Sequence, residues 1–254
     1  MIDIHCHILP SIDDGAADDT ESLKMAREAV RQGIDTIIAT PHHVKYRYDT
    51  DRHTVNEAVS LLNKRLNKEG IPLTVLPGQE IRIDGDLLAG LQSGSLVPLH
   101  NTKYVLAEFP ADHVPAYAER LFYELQLNGY VPVIAHPERN REIRENPSVL
   151  YSLVKKGAAA QVTAGCIAGA FGRKAKSFSL QLMEANLIHF LASDAHNLGP
   201  RNFYYQEALG VLKKEAGAEL IYMLAENAAL LAENKAIYKE PPLPVARRKR
   251  WGLF

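Results

Sequence analysis

The chain opens MIDIHCHILPSIDDGA (1–16). Ile2, Ile4 and Cys6 alternate with Asp3, His5 and His7, a period of two that predicts a short strand. Its polar face ends in two imidazoles, and Asp13, Asp14 and Gly15 follow at once. Histidine and aspartate are ordinary surface residues, so the stretch alone has two readings. It is a solvated strand end, or it is the first part of a metal site. The rest of the chain decides between them.

Six further β-branched or apolar runs follow: TIIAT (36–40), LTVLPGQE (73–80), YVLAEF (104–109), VPVIAH (131–136), AAQVTA (159–164) and IHFLASD (188–194). Between most of them lie stretches of helical period. The first is TESLKMAREAVRQG (20–33), with Leu23, Ala26, Ala29 and Val30 on one face and Gly33 as its stop. Strand then helix, repeated about seven times, predicts parallel strands joined by right-handed crossovers. The length suits one closed α/β barrel of the TIM type, with an open doubly wound sheet as the alternative. No GxGxxG follows a strand and no GxxxxGK[ST] loop is present, which removes support for nucleotide-cofactor folds.

With 254 residues, 46% of them hydrophobic, the chain can bury a sizeable core. A formal net charge of −1 gives no basic field, so nucleic-acid binding is not expected. Cys6 and Cys166 fit neither a zinc-ribbon nor a disulfide pattern. No apolar run is long enough to span a bilayer and no charged-then-apolar leader is seen, so a cytoplasmic protein is expected. The one compositional break is EPPLPVARRKRWGLF (240–254), expected to be a Pro-rich, basic tail after a domain of residues 1–239. Its Arg, Lys and Trp would suit an anionic membrane, but its few apolar residues bury little, and no stable membrane association is expected.

His5 and His7 end the first predicted strand, His42 follows the second, and Glu80, Glu108 and His136 end the third, fourth and fifth. Asp194 and His196 close the seventh, and Asp14 lies in the loop after the first. In parallel α/β barrels functional groups gather where strands hand over to loops. Each residue alone is weak evidence. Nine such groups in one mouth would repel one another and lose solvation unless cations neutralised them. Mixed imidazole and carboxylate ligands suit zinc, manganese or iron. Nine ligands exceed the need of one ion, so two or three divalent metals and a bridging carboxylate are expected.

The ordered set HxH (His5, His7), DDG (Asp14), TPHH (His42), GQE (Glu80), AEF (Glu108), AHPERN (His136) and SDAH (Asp194, His196) resembles the PHP (polymerase and histidinol phosphatase) superfamily. Within it, the set looks most like the manganese-dependent bacterial tyrosine-protein phosphatases of capsule and exopolysaccharide systems, over residues 1 to about 235. The resemblance implies a distorted (β/α)7 barrel and a trinuclear site, with manganese expected and Fe, Zn, Mg or Co as alternatives. It implies that His5, His7, Glu80 and Asp194 hold one metal. Glu80 would bridge to a second held with Glu108 and His136, and Asp14, His42 and His196 would hold a third. Asp14 and His42 match the family's positions; Asp13 and His43 are neighbours that the sequence leaves open. The family also implies tyrosine-phosphorylated partners, among them a cognate bacterial tyrosine kinase.

Metals sharing a hydroxide can clamp both oxygens of an in-line displacement, which suits a phosphomonoester. No CxxxxxR loop is present, because Ile12 and Gly172 lie six residues after the two cysteines, so Cys6 is not expected to be catalytic. Arg139 and Arg201 each closely follow a proposed ligand and are the candidate catalytic donors to phosphate oxygens. The loop HHVKYRYDTDRH (42–53) is read as one wall of a phosphotyrosine cleft or as a solvated loop, and Phe109 and Phe171 as wall or core residues. A small-molecule PHP phosphatase, acting on histidinol phosphate or a sugar phosphate, is the alternative enzyme. An amide-cleaving metal hydrolase and a metal-stabilised binding module are weaker alternatives.

Overall fold

The computed structural model describes residues 1–245. Every predicted strand is present. They are β1 (Ile2–Cys6), β2 (Thr36–Ala39), β3 (His42–His43), β4 (Thr74–Pro77), β5 (Glu80–Arg82), β6 (Tyr104–Glu108), β7 (Val131–Ile134), β8 (Ala159–Thr163) and β9 (Phe190–Ala192). All ladder pairings are parallel, in the orders β1-β2-β4 and β3-β5-β6-β7-β8-β9. The fold is mixed α/β with a curled parallel sheet. Across the other side of the curl, the Asp194 N–H donates to the His5 carbonyl (2.8 Å) and the His7 N–H to the Ala195 carbonyl (2.9 Å).

One predicted strand is broken near its C-terminal end, and an additional two-residue strand, β3, lies just beyond another. Pro41 has no N–H to continue the ladder between β2 and β3. Gly78 separates β4 from β5 because it passes close to its neighbours: a Cβ there would meet Ile38 Cγ2 at 2.8 Å and Leu99 Cδ2 at 3.2 Å. Glu80 therefore begins a new short strand rather than ending the third, and it lies across from His42 in the register.

The helices are α1 (Asp19–Arg31), α2 (Arg52–Lys68), α3 (Leu87–Ser93), α4 (Ala118–Leu127), α5 (Arg141–Glu145), α6 (Ser148–Lys155), α7 (Ala164–Ala168), α8 (Arg173–Glu184), α9 (Tyr205–Glu215) and α10 (Ala218–Ala232). Asp18 caps α1 by accepting from the Glu21 N–H at 2.8 Å. The buried face of α1 is Ser22, Met25, Ala26 and Ala29, with Leu23 and Val30 at its edge rather than at its centre.

Alternate residues of most strands serve two cores. Val105, Ala107, Ile134 and Val162 face the surrounding helices. Ile4, Ile38, Tyr104, Leu106, Val133 and Phe190 pack inside the curl, where Ala228 and Leu231 of α10 join them. Asn227 of α10 donates to the His189 carbonyl at the start of β9, so this helix closes the N-terminal end of the sheet. The C-terminal strand ends are left for polar side chains. The end of the described chain is laid on the body: the Leu243 N–H donates to the Ala185 carbonyl at 2.9 Å, and Val245 packs on the outer core. The basic stretch 246–254 lies outside the described residues.

Candidate metal centre

The structure brings all nine candidate side chains together at one end of the curled sheet. Three sets of ligand atoms crowd together: His5, His7, Glu80 and Asp194; His7, Asp14, His42 and His196; and His42, Glu80 and Glu108. His7 and His42 each belong to two sets, and Glu80 joins the first to the third. Glu80 Oε2 lies 2.9 Å from His42 Nδ1, 3.3 Å from His5 Nε2 and 3.4 Å from His7 Nε2, while Oε1 lies 2.7 Å from His136 Nε2. His136 enters none of the three sets and touches the site through Glu80, one of the two carboxylates with which the resemblance groups it.

Three imidazoles are turned by an outer partner so that Nε2 faces the centre. His5 Nδ1 donates to Gln161 Oε1 (3.0 Å), His7 Nδ1 to Asp13 Oδ2 (2.6 Å) and His196 Nδ1 to the Asp194 carbonyl (3.0 Å). This is the way outer-shell groups fix the tautomer of metal-binding histidines. His5 Nε2 and His7 Nε2 then lie 3.2 Å apart, so a proton or a cation must stand between their lone pairs. His42 Nδ1, Glu80 Oε2, Asp194 Oδ1 and His196 Nε2 are buried without a hydrogen-bond partner among the described residues. Buried polar atoms are seldom left so, and a cluster of orphaned nitrogen and oxygen donors fits divalent cations.

The electrostatics agree. Burial works against a charged His7, but Asp13, Asp194 and Glu80 outweigh it and hold the pKa well above its ordinary value. Burial alone would raise Asp194, yet His5, Arg139 and the other imidazoles hold it well below the ordinary carboxylate range. The carboxylates thus demand positive charge, which a dication supplies in place of protons. Burial and the neighbouring His7 lower His196 to about 4, leaving it neutral with a free lone pair at pH 7.

The neighbouring alternatives point elsewhere. Both Asp13 oxygens are engaged, Oδ2 by His7 Nδ1 and the His42 N–H (2.9 Å) and Oδ1 by the Gly15 N–H (2.9 Å). Burial raises its pKa, but His7 and these backbone donors bring it down to about 2. His43 Nδ1 faces the Thr50 carbonyl at 2.9 Å and enters none of the three sets. Gly15 holds the DDG loop against the strand, since a Cβ there would meet the His7 carbonyl oxygen at 2.1 Å. Gly15→Ala should destabilise the fold by about 1–3 kcal/mol and should lower metal occupancy by moving Asp14. Thermal melts and metal analysis of the variant check both effects.

His136 (φ 31°) and Asp194 (φ 52°), each just past a strand end, sit in left-handed backbone. Non-glycine residues there cost energy, and such strain collects at functional sites. Arg139 Nη1 pairs with Asp194 Oδ2, and Arg201 Nη1 donates to Asp14 Oδ2 at 3.1 Å. Both candidate arginines therefore lie at the mouth. Tyr48 stacks on His42 with ring centroids 5.7 Å apart, and Phe171, 39% exposed, lies beside the Arg139 guanidinium. Phe109 is buried and stacks on Phe122, so it is a core residue and not a wall. Cys6 is fully buried, and burial pushes its thiol well above the ordinary value. Sequence reasoning missed Gln161, a buried polar residue at the middle of β8. It also missed Arg82, whose Nε donates to Glu108 Oε2 at 2.8 Å.

Imidazoles and carboxylates joined through Glu80, with guanidinium groups at the rim, define a metal-dependent hydrolase of anionic esters. The comparisons narrow the class. The family described as "Capsular polysaccharide synthesis, CpsB/CapC" matches residues 1–233, and the chain belongs to it. It is 65% identical over 254 residues to the tyrosine-protein phosphatase YwqE of Bacillus subtilis, covering 100% of both chains. It is 30% identical to the tyrosine-protein phosphatase CpsB of Streptococcus agalactiae, over 93% of this chain and 100% of that one. A crystal structure of YwqE, described with CpsB of Streptococcus pneumoniae as a unique metal-dependent tyrosine phosphatase, superposes with a TM-score of 0.96 at 65% identity. That match covers 97% of this chain and 100% of the other.

Proposed function

We propose that this chain is a metal-dependent protein-tyrosine phosphatase of capsule or exopolysaccharide regulation. The observation that carries the reading is Glu80, fully buried and shared by two adjoining sets of ligand atoms. Glu80 and the side chains around it would hold the ions of both sets, whose Lewis acidity suits an in-line displacement at phosphorus. The metal ligands would be His5, His7, Asp14, His42, Glu80, Glu108, His136, Asp194 and His196, with manganese as the native ion. When bound, the ions supply Lewis acidity and an activated water for attack at phosphorus.

The chain's own residues do the rest. Gln161 and Asp13 orient His5 and His7. Arg139 and Arg201 stand at the mouth to grip the non-bridging oxygens, whose charge wants fixed donors. The centre is open on one side, where the Asp14 side chain is 40% exposed. Tyr48 and Phe171 flank it as walls for an aromatic ring. A phosphotyrosine on a protein tail can reach such a centre. The expected partner is a cognate tyrosine kinase, and the compartment is the cytoplasm. No helix among the described residues is long and apolar enough to cross a membrane. The sheet is read as a distorted seven-stranded PHP barrel, with β2–β3 and β4–β5 each counted as one strand. Residues 1–239 are its domain and 240–254 its tail.

Hydrolysis of p-nitrophenyl phosphate, a phosphotyrosine peptide and histidinol phosphate by the metal-loaded protein tests the reading. The peptide should be cleaved with higher kcat/KM than histidinol phosphate; the reverse order would move the protein to the small-molecule phosphatases. Arg139→Ala should lower kcat/KM on the peptide about 10²–10³-fold with metal content unchanged. Arg139→Lys should recover only part, because lysine lacks the planar fork.

A further inference from the structure

The three sets of ligand atoms each contain one carboxylate that is also held by an arginine. Asp194 of the first is held by Arg139, and Asp14 of the second by Arg201. Glu108 of the third is held by Arg82, with Nε 2.8 Å from Oε2. We propose that Arg82 is a third phosphate-binding arginine of this centre, completing a cradle with Arg139 and Arg201. The proposal rests on the phosphatase reading above.

Placement on the strand is the first argument. Glu80 and Arg82 are two residues apart on β5, so their side chains leave the same face. In the register Glu80 pairs with Leu106 and Arg82 with Glu108, which sets Arg82 one step beyond Glu80 toward the open ends of the strands. Its side chain is 33% exposed, against 36% for Arg139 and 29% for Arg201. All three are reachable from solvent to a similar degree.

Donor use is the second argument. A guanidinium offers five N–H groups in a planar fork. Arg52 is an arginine that holds structure together. It places Nε on the Gly94 carbonyl, Nη1 on Asn101 Oδ1 and Nη2 on the Leu96 carbonyl. Arg82 makes one hydrogen bond among the described residues, through Nε, and its two terminal nitrogens make none. The Glu108 contact aims the side chain while the end of the fork stays available. A fork steadied beside a centre that receives a dianion is suited to bidentate recognition of phosphate.

The test uses the metal-loaded full chain and inorganic phosphate. Phosphate affinity is read as competitive inhibition of p-nitrophenyl phosphate hydrolysis and by calorimetric titration, and metal content is measured on the same samples. Arg82→Ala should weaken phosphate about 10–100-fold and lower kcat/KM, with the metal-to-protein ratio unchanged. Arg82→Lys should recover part of the loss. Arg120→Ala, which removes an exposed i,i+4 pair with Glu124, should match the wild type. If Arg82→Ala does not fold, Arg82→Gln serves in its place, since it removes the charge and keeps a donor for Glu108. Phosphate affinity within twofold of wild type would overturn the proposal. So would loss of a metal from the variant, since Arg82 would then act only by positioning Glu108. If the wild type ignores phosphotyrosine peptides yet Arg82→Ala still loses phosphate, the substrate reading fails and the cradle stands.

Discussion

Glu80→Gln is expected to leave a folded protein that has lost nearly all turnover and part of its metal. The side chain is fully buried at the junction of the ligand sets, with each oxygen facing an imidazole nitrogen. Glutamine has the same shape, so packing is kept. It replaces one acceptor oxygen by an NH2 donor and removes the charge that the histidines and cations around it require. Removing one partner from a buried charged set costs about 3–5 kcal/mol, which spent on the transition state is roughly 10²–10⁴ in rate. Because Glu80 joins two sets, the metal-to-protein ratio should fall as well. Kinetics and elemental analysis on the same preparation decide: wild-type turnover with full metal would remove Glu80 from the centre.

Exhaustive chelation is expected to abolish activity, with manganese the most effective ion in restoring it. Without cations, His5 and His7 face each other at 3.2 Å, and four buried donor atoms of the centre have no partner among the described residues. Metal removal should therefore also lower the melting temperature. Binding to the folded state alone stabilises it by about 2.7 kcal/mol when free metal is 100 times Kd. The pH trend has a defined sign. His7 is held protonated above its ordinary range by Asp13, Asp194 and Glu80, despite burial, and a metal must displace that proton. Apparent metal affinity should weaken as pH falls. Activity in excess chelator with no metal detected would refute the centre as a whole.

Much of the centre was legible because its signals are local. A period of two marks strands, and a polar residue where an apolar run stops marks a strand end. His5, His7, Glu108, His136 and Asp194 could be found in that way, and so could the arginines that follow at short spacing. The helical stretch 20–33 was placed within two residues of α1 for the same reason. Arg82 was not legible in the same way because it lies beyond the end of the apolar run, although period two puts residue 82 on the same face as residue 80.

By itself, then, the sequence determined that parallel strands alternate with helices and that imidazoles and carboxylates cluster at the strand ends. It also determined that neither cysteine has the surroundings of a phosphatase nucleophile. Only the tertiary structure decided which of two adjacent residues faces the centre. Asp13 and Asp14 are equivalent in composition, and the close turn at Gly15 lays Asp13 under His7 Nδ1 while Asp14 faces His42 and His196. His42 and His43 differ because the β3–β5 register sets His42 opposite Glu80 and leaves His43 to the Thr50 carbonyl. Phe109 became core because Phe122 of α4 covers it. The physical reason is range. Hydrophobic period is written in neighbouring residues, whereas the 3.4 Å approach of His5 to Asp194 joins the two ends of the curled sheet and exists only once the strands between them have paired in register.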